Sequence, residues 1–307
     1  MSTLPDTSLL LVGLSGTGKT NFLVALDVVL DNQITPDGLV HSDLADDRAY
    51  LQPLKEKWLR GEELEHTSRQ QPPPPHQLLV KHPSSGRTAG FHLPDLAGET
   101  FDAHFVTRSF PKEFADRLSH ATGLLLFVHC NSDADHILLE SSVFLDPAPA
   151  EGAPTPTPVV ERPPEWSLEK AARQIKLVDL LQFISEAGPR NNLLRIAVII
   201  SAWDVVENLP ASASSDIPKD PVRFLSARWP LLDQYLSSHP DVFTYRTFGV
   251  SARGGGTTPE EIARLTALDR PTDRILLVDA DHRSSDLTRP VRWLLGMMPD
   301  STPSKNG

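Results

Sequence analysis

The feature that most constrains this chain is a glycine-rich stretch near its start. A short apolar run at residues 9–12 leads into residues 13–20, which read Gly-Leu-Ser-Gly-Thr-Gly-Lys-Thr. Residues 21–30 continue in a pattern typical of a helix. This is the Gly-x-x-x-x-Gly-Lys-[Ser/Thr] spacing between a strand and a helix, the context in which such a loop binds phosphate.

Each residue type in this phosphate loop has a physical use. The glycines let the backbone turn and point successive N–H groups at an anion, and the following helix adds the positive end of its dipole. Lys19, in a loop that we expect to face solvent, supplies a full charge for β- and γ-phosphates, and the Thr20 hydroxyl is placed to ligate Mg²⁺. The predicted nucleotide-binding residues of the loop are Gly13, Ser15, Gly16, Thr17, Gly18, Lys19, Thr20 and Asn21.

Composition narrows the class of protein. The chain has 307 residues and a formal net charge of −11, which argues against a nucleic-acid-binding surface because such a surface needs a basic patch. The one cysteine, Cys130, excludes an internal disulfide, and we expect it to be a buried structural thiol. With no basic leader and no apolar stretch long enough to span a bilayer, the sequence predicts an acidic cytoplasmic protein.

The pattern beyond the loop predicts strands that alternate with helices, and hence an α/β fold with a mostly parallel sheet. Strand candidates 76–82 and 88–94 are joined by a link of hairpin length, so this pair should supply one antiparallel strand. Further buried strands are predicted at 123–129, 193–201 and 242–250. Helical periodicity is predicted over residues 44–59, 166–187 and 221–236.

We expect a single domain over residues 1–298. Residues 32–76 form a long connection that is partly helical and ends in a run of prolines. Residues 145–164 hold seven prolines and predict a surface insertion without secondary structure. Residues 299–307 should be a disordered tail.

A second motif follows the strand predicted at 88–94. Asp95 comes directly after this strand, where a carboxylate can hold the Mg²⁺ shell. Gly98, three residues later, has no side chain to block the approach of its N–H to a γ-phosphate. The alternative is that Asp95 caps the next helix, but the phosphate loop upstream favours the nucleotide role.

Four motifs, in order, resemble those of the GTPase branch of P-loop proteins, the class of the Ras-like and translation-factor GTPases. They are residues 13–20, Asp-Leu-Ala-Gly-Glu at 95–99, Ser-Ala-Trp-Asp at 201–204 and Ser-Ala-Arg at 251–253. More loosely, the chain resembles the bacterial double-GTPase domain families of predicted conflict systems. The resemblance covers residues 8–254 and the closing helix, and it implies a three-layer P-loop NTPase fold.

The resemblance also implies ligands and roles. It implies GTP and GDP as ligands, Mg²⁺ as cofactor, and Asp204 as the residue that reads guanine. Its further base-contacting residues would be Ser251, Ala252 and Arg253. Asp204 has an alternative role as the N-cap of the next helix, and Ala202 replaces the lysine that the family usually carries.

Two other assignments depend on the family pattern. Glu99 stands where many of these proteins carry the glutamine that orients the attacking water, and a carboxylate near the γ-phosphate repels the developing charge. In the family pattern, the first switch segment, which precedes the β-hairpin, carries a threonine that ligates Mg²⁺. Thr67 is best placed for this role and Thr35 is the alternative. Either residue can instead be a solvated loop residue. The sequence does not choose a catalytic arginine among Arg69, Arg87, Arg108 and Arg117.

The leading hypothesis is a Mg²⁺-dependent GTPase that acts as a molecular switch, with Lys19, Gly98 and Glu99 at its catalytic centre. Hydrolysis should be slow without a partner. The γ-phosphate would order residues 62–76 and 96–110, and hydrolysis would release them for an unidentified effector or stimulating protein.

Two alternatives remain open. One is an ATPase of the same fold in which Asp204 is only a helix cap. The other is a nucleotide-binding scaffold with negligible turnover, which Glu99 suggests.

Overall fold

The computed structural model describes residues 7–36, 38–42, 50–64, 76–93, 98–131, 171–189, 193–209 and 217–298. Their strands are β1 (Ser8–Val12), β2 (Val40–His41), β3 (His76–Lys81), β4 (Thr88–Leu93), β5 (Gly123–His129), β6 (Leu194–Ser201), β7 (Phe243–Ser251), β8 (Leu276–Asp279) and β9 (His282–Ser284). Their α-helices are α1 (Lys19–Asn32), α2 (Leu51–Leu59), α3 (Gly98–Thr107), α4 (Lys112–Ser119), α5 (Arg173–Ala187), α6 (Trp203–Glu207), α7 (Pro221–Arg228), α8 (Pro230–Ser238), α9 (Pro259–Thr266) and α10 (Thr288–Leu294). None of these described helices is both long and apolar enough to cross a lipid bilayer.

The described strands form one sheet in the order β2-β3-β4-β1-β5-β6-β7-β8-β9. The five strands from β4 to β7 in this order are mutually parallel, and β3 pairs antiparallel with β4 as the hairpin predicts. This confirms the α/β P-loop NTPase fold with a mostly parallel sheet. The short edge strand that the sequence offers at residues 275–278 is present as β8, which pairs antiparallel with β7. The edge itself is β9, which β8 reaches by a tight turn through Ala280 at φ 51°.

The side chains of each central strand alternate between two helical layers. Leu9 and Leu11 of β1 pack with α1, α2 and α10 on one face. Leu10 and Val12 pack with helices α3 to α8 on the other face. The chain therefore leaves β1 through a helix on one face and enters β5 through helices on the opposite face. Such a switch opens a crevice at the carboxyl ends of the strands, where α/β proteins bind ligands.

Two predicted helices have different bounds in the structure. The helix expected over residues 221–236 is broken between α7 and α8, because Pro230 lacks an N–H and excludes Trp229 from the α region. The helix expected from residue 166 begins at Arg173, after an extended Ala172.

Several predictions lie outside the described residues. Asp95, Thr67, the insertion at 145–164 and the tail at 299–307 belong to this group. The assignment of residues 1–298 to one domain stays a prediction.

Gly249 on β7 lies where the core leaves no room for an added side chain. A Cβ at Gly249 would lie 2.4 Å from Cδ2 of the fully buried Trp203. We expect Gly249→Ala to lower the free energy of unfolding by about 1–3 kcal/mol, as overpacking does in well-packed cores. Urea denaturation measures this, with Gly256→Ala as control because its Cβ would meet only the end of the Glu261 side chain. Equal stability of the two variants would contradict the packing.

Candidate nucleotide-binding site

The phosphate loop has the backbone that its glycines predict. Gly13 has φ 146° and Gly18 has φ 82°, values that residues with a Cβ rarely adopt. A Cβ at Gly13 would also lie 2.7 Å from the carbonyl oxygen of Phe127 on β5. Gly18 is the N-cap of α1, and the first turn of α1 contains no acidic residue. The positive end of this helix therefore remains available to an anion.

Lys19 is part of the loop's own hydrogen-bond network. Its Nζ donates to the carbonyl oxygens of Gly13 at 2.6 Å and Leu14 at 2.8 Å, and to the Thr17 hydroxyl at 3.3 Å. Burial lowers the pKa of Lys19 to about 7. Gly16 of the loop is exposed, as a solvent-facing loop predicts, whereas the Lys19 side chain is half-buried because it folds back over the loop.

Two charged side chains outside the sequence motifs contact the loop, and a third contacts one of these two. Asp102 on α3 accepts a hydrogen bond from the N–H of Ser15 at 2.9 Å. The other oxygen of Asp102 lies 3.6 Å from Nζ of Lys176 on α5. Arg173, the first residue of α5, donates to the carbonyl oxygen of Ser15 at 3.0 Å. The Ser15 residue is thus bound by a carboxylate at its N–H and by a guanidinium at its carbonyl.

Sequence reasoning missed these three residues. A signal was present for Arg173 and Lys176, because cations in the first turn of a helix oppose the helix dipole and are disfavoured without another role. No comparable signal marks Asp102, since its contact depends on how α3 packs against the loop.

The third and fourth motifs meet at the other end of the site. The Ser251 hydroxyl donates to Oδ1 of Asp204 at 2.5 Å and accepts from the N–H of Gly254 at 3.1 Å. Ala202, with φ 56°, is the N-cap of α6, and Asp204 lies inside its first turn. The alternative that Asp204 is the N-cap is therefore wrong. Its carboxylate is instead oriented by Ser251.

Small residues bring the third motif against the phosphate loop. A Cβ at Gly18 would lie 3.3 Å from Cβ of Ser201, whose hydroxyl donates to the carbonyl of Val128 at 3.2 Å. The Cys130 thiol donates to the carbonyl of Ala202 at 3.2 Å. Burial raises the pKa of Cys130 to about 12, and the thiol is buried as predicted.

Helix α2 and the residues that follow it hydrogen-bond to the fourth motif. Trp58 Nε1 donates to the carbonyl oxygen of Ala252 at 3.2 Å, and the Arg253 guanidinium donates to the carbonyl oxygen of Gly61 at 2.6 Å. Arg274 lies 3.9 Å from the centre of the Trp58 ring and donates to the Trp58 carbonyl. The Arg253 side chain therefore ties the fourth motif to the residues that follow α2.

The other residues that the sequence suggested as site residues lie in different parts of the structure or outside its described residues. The Thr35 hydroxyl donates to Asp286 at 3.3 Å, which engages it away from the phosphate loop. Arg108 pairs with Asp179 on α5. Gly98 begins α3, whereas the Glu99 side chain and Arg69 lie outside the described parts.

The environment of Lys19 predicts a pH-dependent stability. Its pKa falls from 10.5 to about 7 on folding, so the unfolded chain binds more protons between these values and the folded state loses stability as pH is lowered. As pH is lowered from 10 to 7, we expect the free energy of unfolding of Lys19→Met to rise by about 1–2 kcal/mol relative to that of wild type. This figure includes a discount for solvent screening. Urea unfolding of nucleotide-free protein measures this. Lys112→Met, at an exposed position, should show no such gain, and equal behaviour of both variants would contradict the assignment.

Solved structures with a similar chain include the signal recognition particle receptor SRb-GTP/SRX complex from Chaetomium thermophilum (16% identity, 85% of this chain and 96% of that chain, TM-score 0.36). Others are a bacterial selenocysteine-specific elongation factor EF-Sec (11%, 96% and 30%, 0.37) and the S. cerevisiae Ski7 GTPase-like domain bound to GTP (11%, 81% and 43%, 0.38). No curated protein matches the chain. The model of the Double-GTPase 1 family matches residues 10–294, and this protein belongs to that family.

Proposed function

We propose that this protein is a Mg²⁺-dependent GTP-binding protein that hydrolyses GTP slowly and acts as a nucleotide-controlled switch in the cytoplasm. The observation that carries the proposal is the Asp204 carboxylate, which Ser251 orients at the same sheet edge as the phosphate loop. Family membership supports GTP as the nucleotide.

Asp204 offers the hydrogen-bonding pattern that guanine needs. A carboxylate accepts only, and guanine presents two donors on one edge, its N1–H and its 2-amino group. Adenine has no such donor pair there and would leave the carboxylate unpaired, which polar sites reject strongly. Because Ser251 fixes Oδ1, the carboxylate is held in one orientation before a base arrives.

Lys19 and the N-terminus of α1 would hold the phosphates. On binding, Nζ of Lys19 would exchange the loop carbonyls for phosphate oxygens. Thr20, with Asp95 and Thr67, would ligate Mg²⁺, and hydroxyl and carboxylate oxygens suit this hard cation. When bound, Mg²⁺ neutralises charge on the β- and γ-oxygens.

Helix α3 is the element that would sense the γ-phosphate. It begins at Gly98, and its Asp102 carboxylate accepts the N–H of Ser15. A triphosphate and Asp102 are both anions at this part of the loop, so they repel each other. Repulsion would shift α3, and a partner protein that contacts residues 96–110 would detect the shift.

A scaffold with negligible turnover is the second candidate, and Glu99 favours it. Single-turnover hydrolysis separates it from a slow GTPase. The ATPase alternative depended on Asp204 as a helix cap, a position that Ala202 occupies.

Asp204→Asn tests the choice of base. The amide replaces one acceptor by a donor, so we expect at least tenfold weaker GTP binding and a gain for XTP, whose carbonyl at position 2 accepts. Binding isotherms for GTP, ATP and XTP measure this. Asp220→Asn is the matched control, because Asp220 is a true helix cap that accepts from the N–H of Arg223. A GTP isotherm unchanged by Asp204→Asn would refute guanine reading.

Asp102→Asn tests the role of α3. Removing the carboxylate removes repulsion of the γ-phosphate, so we expect GTP affinity to rise about three- to tenfold and GDP affinity to change less. Asp116→Asn, on the exposed face of α4, is the control. Weaker GTP binding by Asp102→Asn would contradict the role.

A further inference from the structure

Arg173 lies at a position where the helix dipole disfavours a positive charge. It is the first residue of α5, so its positive charge faces the positive end of that helix's own dipole. Its guanidinium nevertheless reaches the phosphate loop and donates to the carbonyl oxygen of Ser15 at 3.0 Å. The gain that offsets this placement must come from the loop or from what the loop binds.

The hydrogen bond to the Ser15 carbonyl uses only part of the hydrogen-bonding capacity of the Arg173 guanidinium. A guanidinium carries five N–H donors in a planar fork that matches phosphate oxygens. The nearby carboxylate, Asp102, lies against Lys176, one turn further along α5, instead. In the described part of the chain, the hydrogen bond of Arg173 goes to a main-chain oxygen and leaves its charge beside the loop. That charge also helps to lower the pKa of Lys19, after the larger effect of burial.

Two contacts place Arg173 at the γ-phosphate end of the site. The base end is marked by Asp204 and Ser251. Arg173 instead shares Ser15 with Asp102 of α3, the helix that follows the second motif. Lys19, whose charge is suited to β- and γ-phosphates, also lies against α3, with Nζ 5.8 Å from the centre of the Phe101 ring.

We propose that Arg173 supplies, from within this chain, the arginine that stabilises the charge developing on the γ-phosphoryl group during GTP hydrolysis. This inference depends on the proposed function. In the reaction, a water oxygen bonds to the γ-phosphorus while the bond from that phosphorus to the β–γ bridging oxygen breaks. The bridging oxygen keeps the electron pair and leaves on GDP, and the water proton goes to the released phosphate or to solvent. Arg173 leaves the Ser15 carbonyl and donates hydrogen bonds to the phosphoryl oxygens.

The test compares Arg173→Ala, Arg173→Lys and Arg173→Gln in the full chain. Arg270→Ala is the control, because Arg270 is an exposed arginine paired with Asp273. Three quantities are measured with Mg²⁺: GDP affinity, the single-turnover rate of GTP hydrolysis, and retention of GDP in the presence of aluminium fluoride, which mimics the transferring phosphoryl group. Arginines of this kind accelerate hydrolysis by about 10³–10⁵.

We expect GDP affinity to stay within about threefold in every variant, because the arginine acts on the γ-phosphoryl group that GDP lacks. The hydrolysis rate should fall about 100-fold or more in Arg173→Ala and Arg173→Gln, with partial recovery in Arg173→Lys. Arg173→Ala and Arg173→Gln should also lose the retention of GDP in the presence of aluminium fluoride. The control should match wild type.

Arg173→Gln keeps a donor for the Ser15 carbonyl, so it separates a structural tie from a catalytic charge. Wild-type hydrolysis and wild-type aluminium fluoride retention in Arg173→Gln would overturn the proposal. It would also be overturned by a wild-type protein that binds GTP but neither hydrolyses it nor retains GDP with aluminium fluoride; GTP binding would then stand. Absence of GTP binding by wild type would instead remove the proposed function and this inference with it.

Discussion

The whole site depends on how closely one loop passes its neighbouring strands. The backbone at Gly13 runs against the Phe127 carbonyl of β5, and Gly18 runs against Ser201 at the end of β6. A side chain at either glycine would push the loop outward. This close approach sets the distance between the phosphate-binding N–H groups and the Asp204 motif. The sheet order then brings Ser251 of β7 beside Asp204, so the two ends of a nucleotide site follow from backbone packing.

Charge is distributed to match this geometry. The chain as a whole is acidic, with a formal net charge of −11, yet Lys19, Arg173 and Lys176 gather at the phosphate loop. Asp102 is the internal anion among them. Burial lowers the pKa of Lys19, and the charge of Arg173 lowers it further while Asp102 opposes the shift. A bound polyphosphate would add negative charge beside the Lys19 ammonium and so favour its charged form.

The sequence predicted the features that local sequence determines, and it missed contacts that depend on tertiary packing. The phosphate loop, the hairpin of β3 and β4 and the buried strands were predictable, because local spacing and apolar runs determine them. The break at Pro230 also had a local cause, which helical periodicity concealed. Asp102 could not be found, since α3 brings it to the loop through tertiary packing. The role of Asp204 was ambiguous in sequence, because a carboxylate at the start of a helix can cap that helix or serve another role. The structure places Ala202 at the cap and bonds the Asp204 carboxylate to Ser251.

Under the proposed function, Lys19 binds the phosphates and Asp204 binds the guanine base. Competition of unlabelled GTP, GDP and ATP against a fluorescent guanine nucleotide, on wild-type protein and on Lys19→Ala, tests this most directly. We expect GTP to displace the probe at concentrations at least about tenfold lower than ATP does, since a base mismatch leaves a polar group unpaired. We also expect Lys19→Ala, while folded, to fail to bind the triphosphate tightly. Equal displacement by ATP and GTP, or full affinity in a folded Lys19→Ala, would contradict these two assignments.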